Sequence, residues 1–183
     1  NPLSSIKGFA TYFKERYRAI PEDRETAEVM ISEVERLNRA VSQLLAFARP
    51  VKLRREQIAL EPAVRQTLRL VAEEARARGI EVVVEGVEDI QGYVDPDQLQ
   101  QVLLNLFLNA LAAMREGGVL GVRAEAAPLS GLRLAVTDTG SGIDPEDLGR
   151  IFDPYFTTKP SGAGLGLAIV HKIMEAHGGE VAV

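Results

Sequence analysis

The first fifty residues carry two apolar stripes, each too narrow to close a core alone, and nothing else in the chain constrains its fold as tightly. Leu3, Ile6, Ala10, Phe13, Tyr17 and Ile20 recur at alternating steps of three and four. After Pro21-Glu22-Asp23 the same rhythm returns in Ala27, Met30, Val34, Leu37, Val41, Leu44 and Ala48. Such spacing predicts two helices, each with one apolar seam. The short Pro-containing connection makes them antiparallel neighbours. A lone hairpin buries too little surface to be stable, and Phe9, Ile31, Leu45 and Phe47 widen each stripe beyond a two-helix seam. Two copies are therefore expected to pair into a four-helix bundle, making the protein a homodimer. The alternative is that the hairpin packs on its own C-terminal portion.

Pro50 cannot continue a helix, and the pattern changes there. Residues 1–50 hold 8 basic and 7 acidic side chains, leaving 13 and 19 of the chain's 21 and 26 for residues 51–183. The expected organisation is a hairpin over 1–50, a linker over 51–61 and a second domain over 62–183. In that domain residues 62–78 read as a helix ended by Gly79, and 80–85 as a β-branched strand. Asp95-Pro96 opens a helix running to Met114, with Pro just inside its start. Strands are expected over 119–125 and 132–138, a long loop over 140–163, a helix over 165–176 and a further strand from Glu180. The fold class is α+β: a helical hairpin followed by an α/β sandwich, a mixed sheet with helices on one face. No cysteine is present among the 183 residues, which removes disulfides, thiolate catalysis and cysteine-ligated metals. No run approaches the roughly 18–20 apolar residues of a membrane span. A net charge of −5 argues against direct nucleic-acid binding, which needs a basic face.

Three groups of residues break the core pattern. Gln101, Asn105 and Asn109 line one face, at i, i+4 and i+8, of a helix that is otherwise apolar nearly all round and is therefore expected to be deeply buried, so that its amides need something to bind. They are either partners of a neighbouring helix or a row of oxygens suited to Mg²⁺, which completes its shell with water and phosphate. Asp138 shares a strand face with the core residues Leu132, Leu134 and Val136 and so reads as a buried carboxylate in need of a donor. It either caps the Thr139-Gly140 turn or accepts a hydrogen bond from a ligand such as the adenine amino group. Gly140 and Gly142 follow at once, permitting left-handed backbone and close approach of a ligand. Further on, Lys159 precedes Gly162-Ala163-Gly164-Leu165-Gly166 at the start of the last helix. Glycines leading into a helix N-terminus favour an anion, although a flexible surface loop would look similar. Phe152, Tyr155 and Phe156 argue that the loop packs partway down. His171 and His177 are six apart on one helix and make a poor metal pair. His177, before Gly178-Gly179, reads as a helix C-terminal cap.

Asn105-x-x-x-Asn109-Ala110, Asp138-x-Gly140-x-Gly142, Ile151-Phe152-Asp153-Pro154-Tyr155-Phe156-Thr157-Thr158-Lys159 and Gly162-x-Gly164-Leu165-Gly166-Leu167 occur in that order. The set strongly resembles the N, G1, F and G2 boxes of the ATP-binding domain of two-component sensor histidine kinases. Asn1-Pro2-Leu3-Ser4-Ser5-Ile6-Lys7-Gly8 resembles the stretch after the phosphoacceptor His in that family's dimerisation hairpin. The Phe-Thr-Thr-Lys form is similar to the nitrogen- and metal-stress-sensing branch. The resemblance implies that Asn109 ligates Mg²⁺ with Asn105 assisting at metal or phosphate. It implies that Asp138 accepts from adenine, that Gly140 and Gly142 shape the base pocket, and that Lys159 with Gly162, Gly164, Leu165 and Gly166 holds the phosphates of ATP. Asn1 would assist dephosphorylation of a response regulator receiver domain, the expected partner. The resemblance further implies that the acceptor His precedes Asn1, that closing strands follow Val183, and that this is the cytoplasmic portion of an inner-membrane bacterial sensor, attached to the membrane only through regions N-terminal to it. Ala112 and Ala163 depart from the family by lacking, respectively, a Lys and a hydroxyl near phosphate. A non-kinase ATPase of the same superfamily, closing as a dimer around nucleotide, is the alternative, and a scaffold with a degenerate site is a third reading.

Overall fold

The computed structural model describes residues 2–48, 51–127, 131–159 and 162–183, apart from the side chains of Arg39, Ala40, Ser42, Gln43 and Ala46. Among the described residues ten elements follow one another: α1 (Pro2–Arg16), α2 (Pro21–Ala48), β1 (Glu56–Ala59), α3 (Leu60–Ala77), β2 (Glu81–Glu85), β3 (Gln91–Val94), α4 (Pro96–Ala113), β4 (Val119–Ala127), β5 (Gly131–Asp138) and α5 (Gly166–His177). They fall into two compact units, residues 1–49 with 157–163, and residues 50–156 with 164–183.

In the first unit α1 and α2 form the expected antiparallel hairpin. Small residues mark the closest approach, with Ala10, Ala27 and Val34 buried. Two ion pairs fix one register, Lys7 Nζ to Glu35 Oε1 at 2.7 Å and Lys14 Nζ to Glu28 Oε1 at 3.1 Å. Leu3, Ile31 and Phe47 are half-buried, while much of both stripes stays uncovered: Ile6, Phe9, Phe13, Met30, Leu37, Val41, Leu44 and Leu45 are all exposed.

The second unit holds a three-stranded sheet, in which β2 runs parallel to β4 and β5 runs antiparallel to β4. Along β4, Leu120, Val122 and Ala124 are buried while Arg123 and Glu125 are exposed, the alternation of a sheet with one covered face. On the open face Arg133 pairs with Glu125 at 2.9 Å. Leu60 and Val64 from α3 and Leu103, Phe107 and Leu111 from α4 complete the core. The α+β sandwich is thus the observed architecture.

Three local expectations change. Residues 56–59, expected within a linker, form β1, which pairs antiparallel with the short β3 to make a second, two-stranded sheet. Neither segment is long enough to show an alternating pattern, and their pairing spans more than thirty residues. Residues 180–183 form no strand, since a strand exists only where a neighbour completes its hydrogen bonds. The helix bearing Asn105 and Asn109 is not buried all round. Leu108 and Ala112 are exposed, and Gln101, Asn105 and Asn109 lie on half-buried positions, because α4 is packed by neighbours on only part of its circumference.

Asp95 and Pro96 start α4 as expected. The Asp95 side chain accepts from Gln98 N–H at 3.1 Å and also from Arg54 N–H at 2.7 Å. Burial pushes its carboxyl up, but hydrogen bonds from the amides of Arg54, Gln98 and Asp97 outweigh this and hold it below the ordinary carboxylate range. Its contribution to stability is therefore complete above the unfolded value, about pH 4, and is lost as pH falls through the native one. Asp95→Ala should cost about 1–2 kcal/mol at neutral pH. In urea unfolding that gap should shrink below about pH 4; a gap of the same size at pH 3 would exclude the carboxylate's charge as its source.

Candidate active site

The C-terminal half of α4 gathers the predicted residues of the second unit. Asn105 and Asn109 stand one turn apart on its half-buried flank, and Gly166, the first residue of α5, abuts both. A Cβ on Gly166 would lie 3.6 Å from Asn105 Oδ1 and 3.8 Å from Asn109 Nδ2. Among the described residues no buried side-chain nitrogen or oxygen lacks a hydrogen-bond partner. The amides lie at half-buried positions rather than stranded without partners in the core, contrary to the expectation that burial forces a ligand on them.

Asp138 closes β5 opposite Leu120 of β4. Leu132, Leu134 and Val136 are half-buried against the core, but Asp138 is exposed, because it ends a strand at the margin of the sheet. Its Oδ1 accepts from Gly140 N–H at 2.8 Å, the turn cap weighed as one of its two readings, and the other carboxylate oxygen has no protein partner among the described residues. The two glycines have different reasons. Gly142 adopts a left-handed φ of +69°. Gly140 is needed for packing: a Cβ there would meet the Cβ of Ala113 at 2.6 Å and its carbonyl carbon at 2.8 Å. Ser141 N–H donates to Ala113 O at 3.3 Å, and so the Asp138 turn is held against the C-terminus of α4.

α5 starts without a side-chain cap, with Leu165 at the N-cap position. Its first-turn N–H groups are therefore left for another acceptor, the arrangement that favours an anion. Leu165 itself is buried and anchors the helix rather than facing a ligand. Just before it, Gly164 O accepts from Tyr155 N–H at 2.8 Å. Both residues are left-handed, Gly164 at +67° and Tyr155 at +68°, an unusual conformation for a bulky side chain. Of the three aromatics expected to pack the loop down, Phe152 and Phe156 are half-buried and Tyr155 is exposed: Ile151 is buried, the Phe152 ring lies 5.5 Å from that of His171, and the Arg150 guanidinium sits 4.5 Å from the Phe156 ring centroid.

Lys159 and Gly162 belong to the first unit. There they form a tight turn, with Lys159 N–H donating to Thr157 Oγ1 at 3.1 Å and Gly162 N–H to Lys159 O at 3.1 Å. Asn1 lies outside the described residues. Among those described, no cluster of His, Asp or Glu could hold a metal ion by itself.

Residues 94–183 match the family described as histidine kinase-, DNA gyrase B- and HSP90-like ATPases, and residues 1–51 match the His Kinase A phospho-acceptor domain. The catalytic domain of the histidine kinase ThkA is 33% identical, covers 67% of this chain and 81% of its own, and superposes with a TM-score of 0.61. This chain belongs to the sensor histidine kinases. The phospho-acceptor match sets it apart from the gyrase-like members, and the chain comprises the kinase catalytic core. Sensor histidine kinase ZraS of Escherichia coli K12 is 46% identical over the whole chain, placing it in a ZraS-like branch; the chain spans 39% of ZraS. Full-length ShkA in complex with AMPPNP is 30% identical, with a TM-score of 0.79 over 97% of this chain and 38% of its own. ThkA in complex with the response regulator protein TrrA is 29% identical, with a TM-score of 0.74 over 98% of this chain and 52% of its own. Among the described residues, no helix of this kinase core is long and apolar enough to cross a membrane.

The glycine geometry gives a ranked prediction. Gly142→Ala meets no neighbour within 4 Å and should cost only the left-handed penalty, about 1–2 kcal/mol. Gly164→Ala adds a Cβ at 2.4 Å from the carbonyl carbon of Tyr155, and should lower the melting temperature more and expose residues 150–156 to limited proteolysis. Equal effects of the two substitutions would contradict the Tyr155–Gly164 contact.

Proposed function

We propose that this chain binds Mg²⁺-ATP and forms the catalytic core of a kinase that phosphorylates a hairpin His preceding Asn1, then passes the phosphoryl group to an Asp of a response regulator receiver domain. The observation that carries this reading is the uncapped start of α5 lying directly against Asn105 and Asn109. The α5 N–H groups, with the backbone of Gly164, Leu165 and Gly166, bind the ATP phosphates, and Lys159 and Gly162 are assigned to phosphate by the family resemblance alone. The free oxygen of Asp138 accepts from the adenine amino group, and Gly140 and Gly142 let the turn lie close beside the base. Asn109 supplies an oxygen to Mg²⁺ and Asn105 assists. The donor set fits a hard cation that arrives with phosphate, since amide oxygens suit Mg²⁺ and the protein offers too few ligands to cage it alone. In the reaction the His imidazole nitrogen bonds to the γ-phosphorus, the bond from that phosphorus to the bridging oxygen breaks, ADP leaves and the imidazole proton goes to solvent. Such transfer depends mainly on positioning and charge neutralisation, which these groups provide.

The exposed stripe of α1 and α2 supports a homodimeric four-helix bundle, since large apolar surfaces mark interfaces. ThkA in complex with a response regulator protein supports a receiver domain as the partner. Asn1, placed beside the acceptor His, would assist hydrolysis of the phosphorylated receiver. We assign the chain to the cytoplasmic side of a sensor anchored in the inner membrane through other regions, without direct nucleic-acid contact.

Calorimetric titration with ATP tests the reading: saturable, Mg²⁺-dependent binding between about 1 μM and 1 mM is expected. Asn109→Ala should weaken binding with Mg²⁺ present more than without it, and equal losses would remove the metal role. Asp138→Ala should weaken ATP about tenfold, the range of a charge-assisted hydrogen bond, while leaving inorganic triphosphate unaffected; an undiminished ATP affinity would refute the adenine contact.

A further inference from the structure

Two polar side chains among the described residues are buried, Thr67 and Asp95. Thr67 is satisfied inside its own helix, its Oγ1–H donating to Ala63 O at 2.9 Å. Asp95 instead joins three separate stretches of chain. Its carboxylate takes the Gln98 and Arg54 amides, and its own backbone N–H donates to His177 Nε2 at 3.1 Å, a bond between residues 82 apart in sequence. Accepting at Nε2 requires the ring proton on Nδ1, and Nδ1–H donates to Ile173 O at 2.9 Å. The Arg55 guanidinium donates to Ala176 O at 2.8 Å in the same place. His177 is therefore more than the helix cap that its sequence context suggests. It clasps the C-terminus of α5 to the N-terminus of α4.

The opposite ends of these two helices meet at Gly166, Asn105 and Asn109. Along α4, Asp95 lies about 15–21 Å from the two asparagines, at about 1.5 Å per residue. Along α5, His177 lies about 16 Å from Gly166 by the same rise. The buried residues of α5 are Ala168, Ile169, Val170 and Ile173, all apolar. Apolar contact is non-directional and would tolerate a small slide of one helix along the other. A hydrogen bond falls off within a few tenths of an ångström and does not.

We propose that His177, acting with the Asp95 backbone amide, is a positioning residue that sets the register of α5 on α4 and thereby holds the uncapped α5 N-terminus against Asn105 and Asn109. The functional consequence rests on the ATP reading given above; the register does not. His177 touches none of the proposed ATP-binding residues and acts only through the two helices.

The test compares His177→Leu with His177→Gln, whose amide oxygen can accept in the place of Nε2. Two quantities are measured at a temperature where circular dichroism shows each variant fully folded. One is the NMR position of the Asn105 and Asn109 side-chain amide signals without nucleotide, and the other is the affinity for ATP. His177→Leu should move both asparagine signals and weaken ATP about fivefold, the size of one net hydrogen bond, with His177→Gln within about twofold of the parent. A lowered melting temperature with unmoved signals and unchanged affinity would overturn the proposal, as would His177→Gln behaving like His177→Leu. If the parent binds no ATP while the signals still move in His177→Leu, the register stands and the nucleotide reading falls. Should His177→Leu not fold, His177→Phe, which keeps a ring of similar size but cannot accept from the Asp95 N–H, replaces it. The signals are then expected to move in His177→Phe and not in His177→Gln, and a failure to move in His177→Phe overturns the proposal.

Discussion

The packing of α4 into the second unit fixes almost everything else about the site. Leu103, Phe107 and Leu111 recur every four residues and are fully buried. Burying each is worth about 1.5–3 kcal/mol, so the rotation of α4 about its axis is strongly determined. Once that stripe faces the core, a helix of 3.6 residues per turn leaves Asn105 and Asn109 on a half-buried flank. Their availability to a ligand is a by-product of where the leucines and Phe107 must go. The neighbouring parts are placed by contact with the same helix: the Asp138 turn through Gly140 and Ala113, and α5 through Gly166.

The hairpin follows a different logic. Its two interhelical ion pairs lie between exposed side chains and contribute little stability, typically under about 1 kcal/mol each. They set register, while Ala10 and Ala27 let the helices approach closely. What remains uncovered is a continuous set of leucine, isoleucine, valine and aromatic side chains, which a second copy would bury. The catalytic unit has a core of its own and the hairpin does not, a division consistent with one part built to hold nucleotide and the other to associate.

Much of the site was legible because its signals are local. The Asn105–Asn109 spacing, the Asp138–Gly140 turn and the glycines before α5 each occupy a few consecutive residues, and helix and strand periods assign them to elements. The errors share a cause. Asp138 reads as buried because three residues before it on the same face are apolar, but burial at a strand's end depends on what covers it from elsewhere. Residues 98–114 read as a helix enclosed on all sides because apolar content says how much surface must be hidden, not how many neighbours will hide it. At Gly140 the sequence shows the freedom of the turn but not that Ala113 of α4 packs against it. β1 and β3 went unread because four-residue strands carry no period, and each exists only through the other.

By itself the sequence determined the helical hairpin, the succession of α3, β2, α4, β4, β5 and α5 in the second unit, and the family to which the chain belongs. These follow from short-range periodicity, turn chemistry and motifs held within single elements. Only the tertiary structure decided that Asn105 and Asn109 sit beside the first residue of α5, that Asp138 stands exposed with one oxygen free, and that His177 is bonded to the Asp95 amide. Each of these joins residues far apart in the chain. Such pairings are selected by the fit of one packed surface on another, a long-range property that no local run of residues encodes.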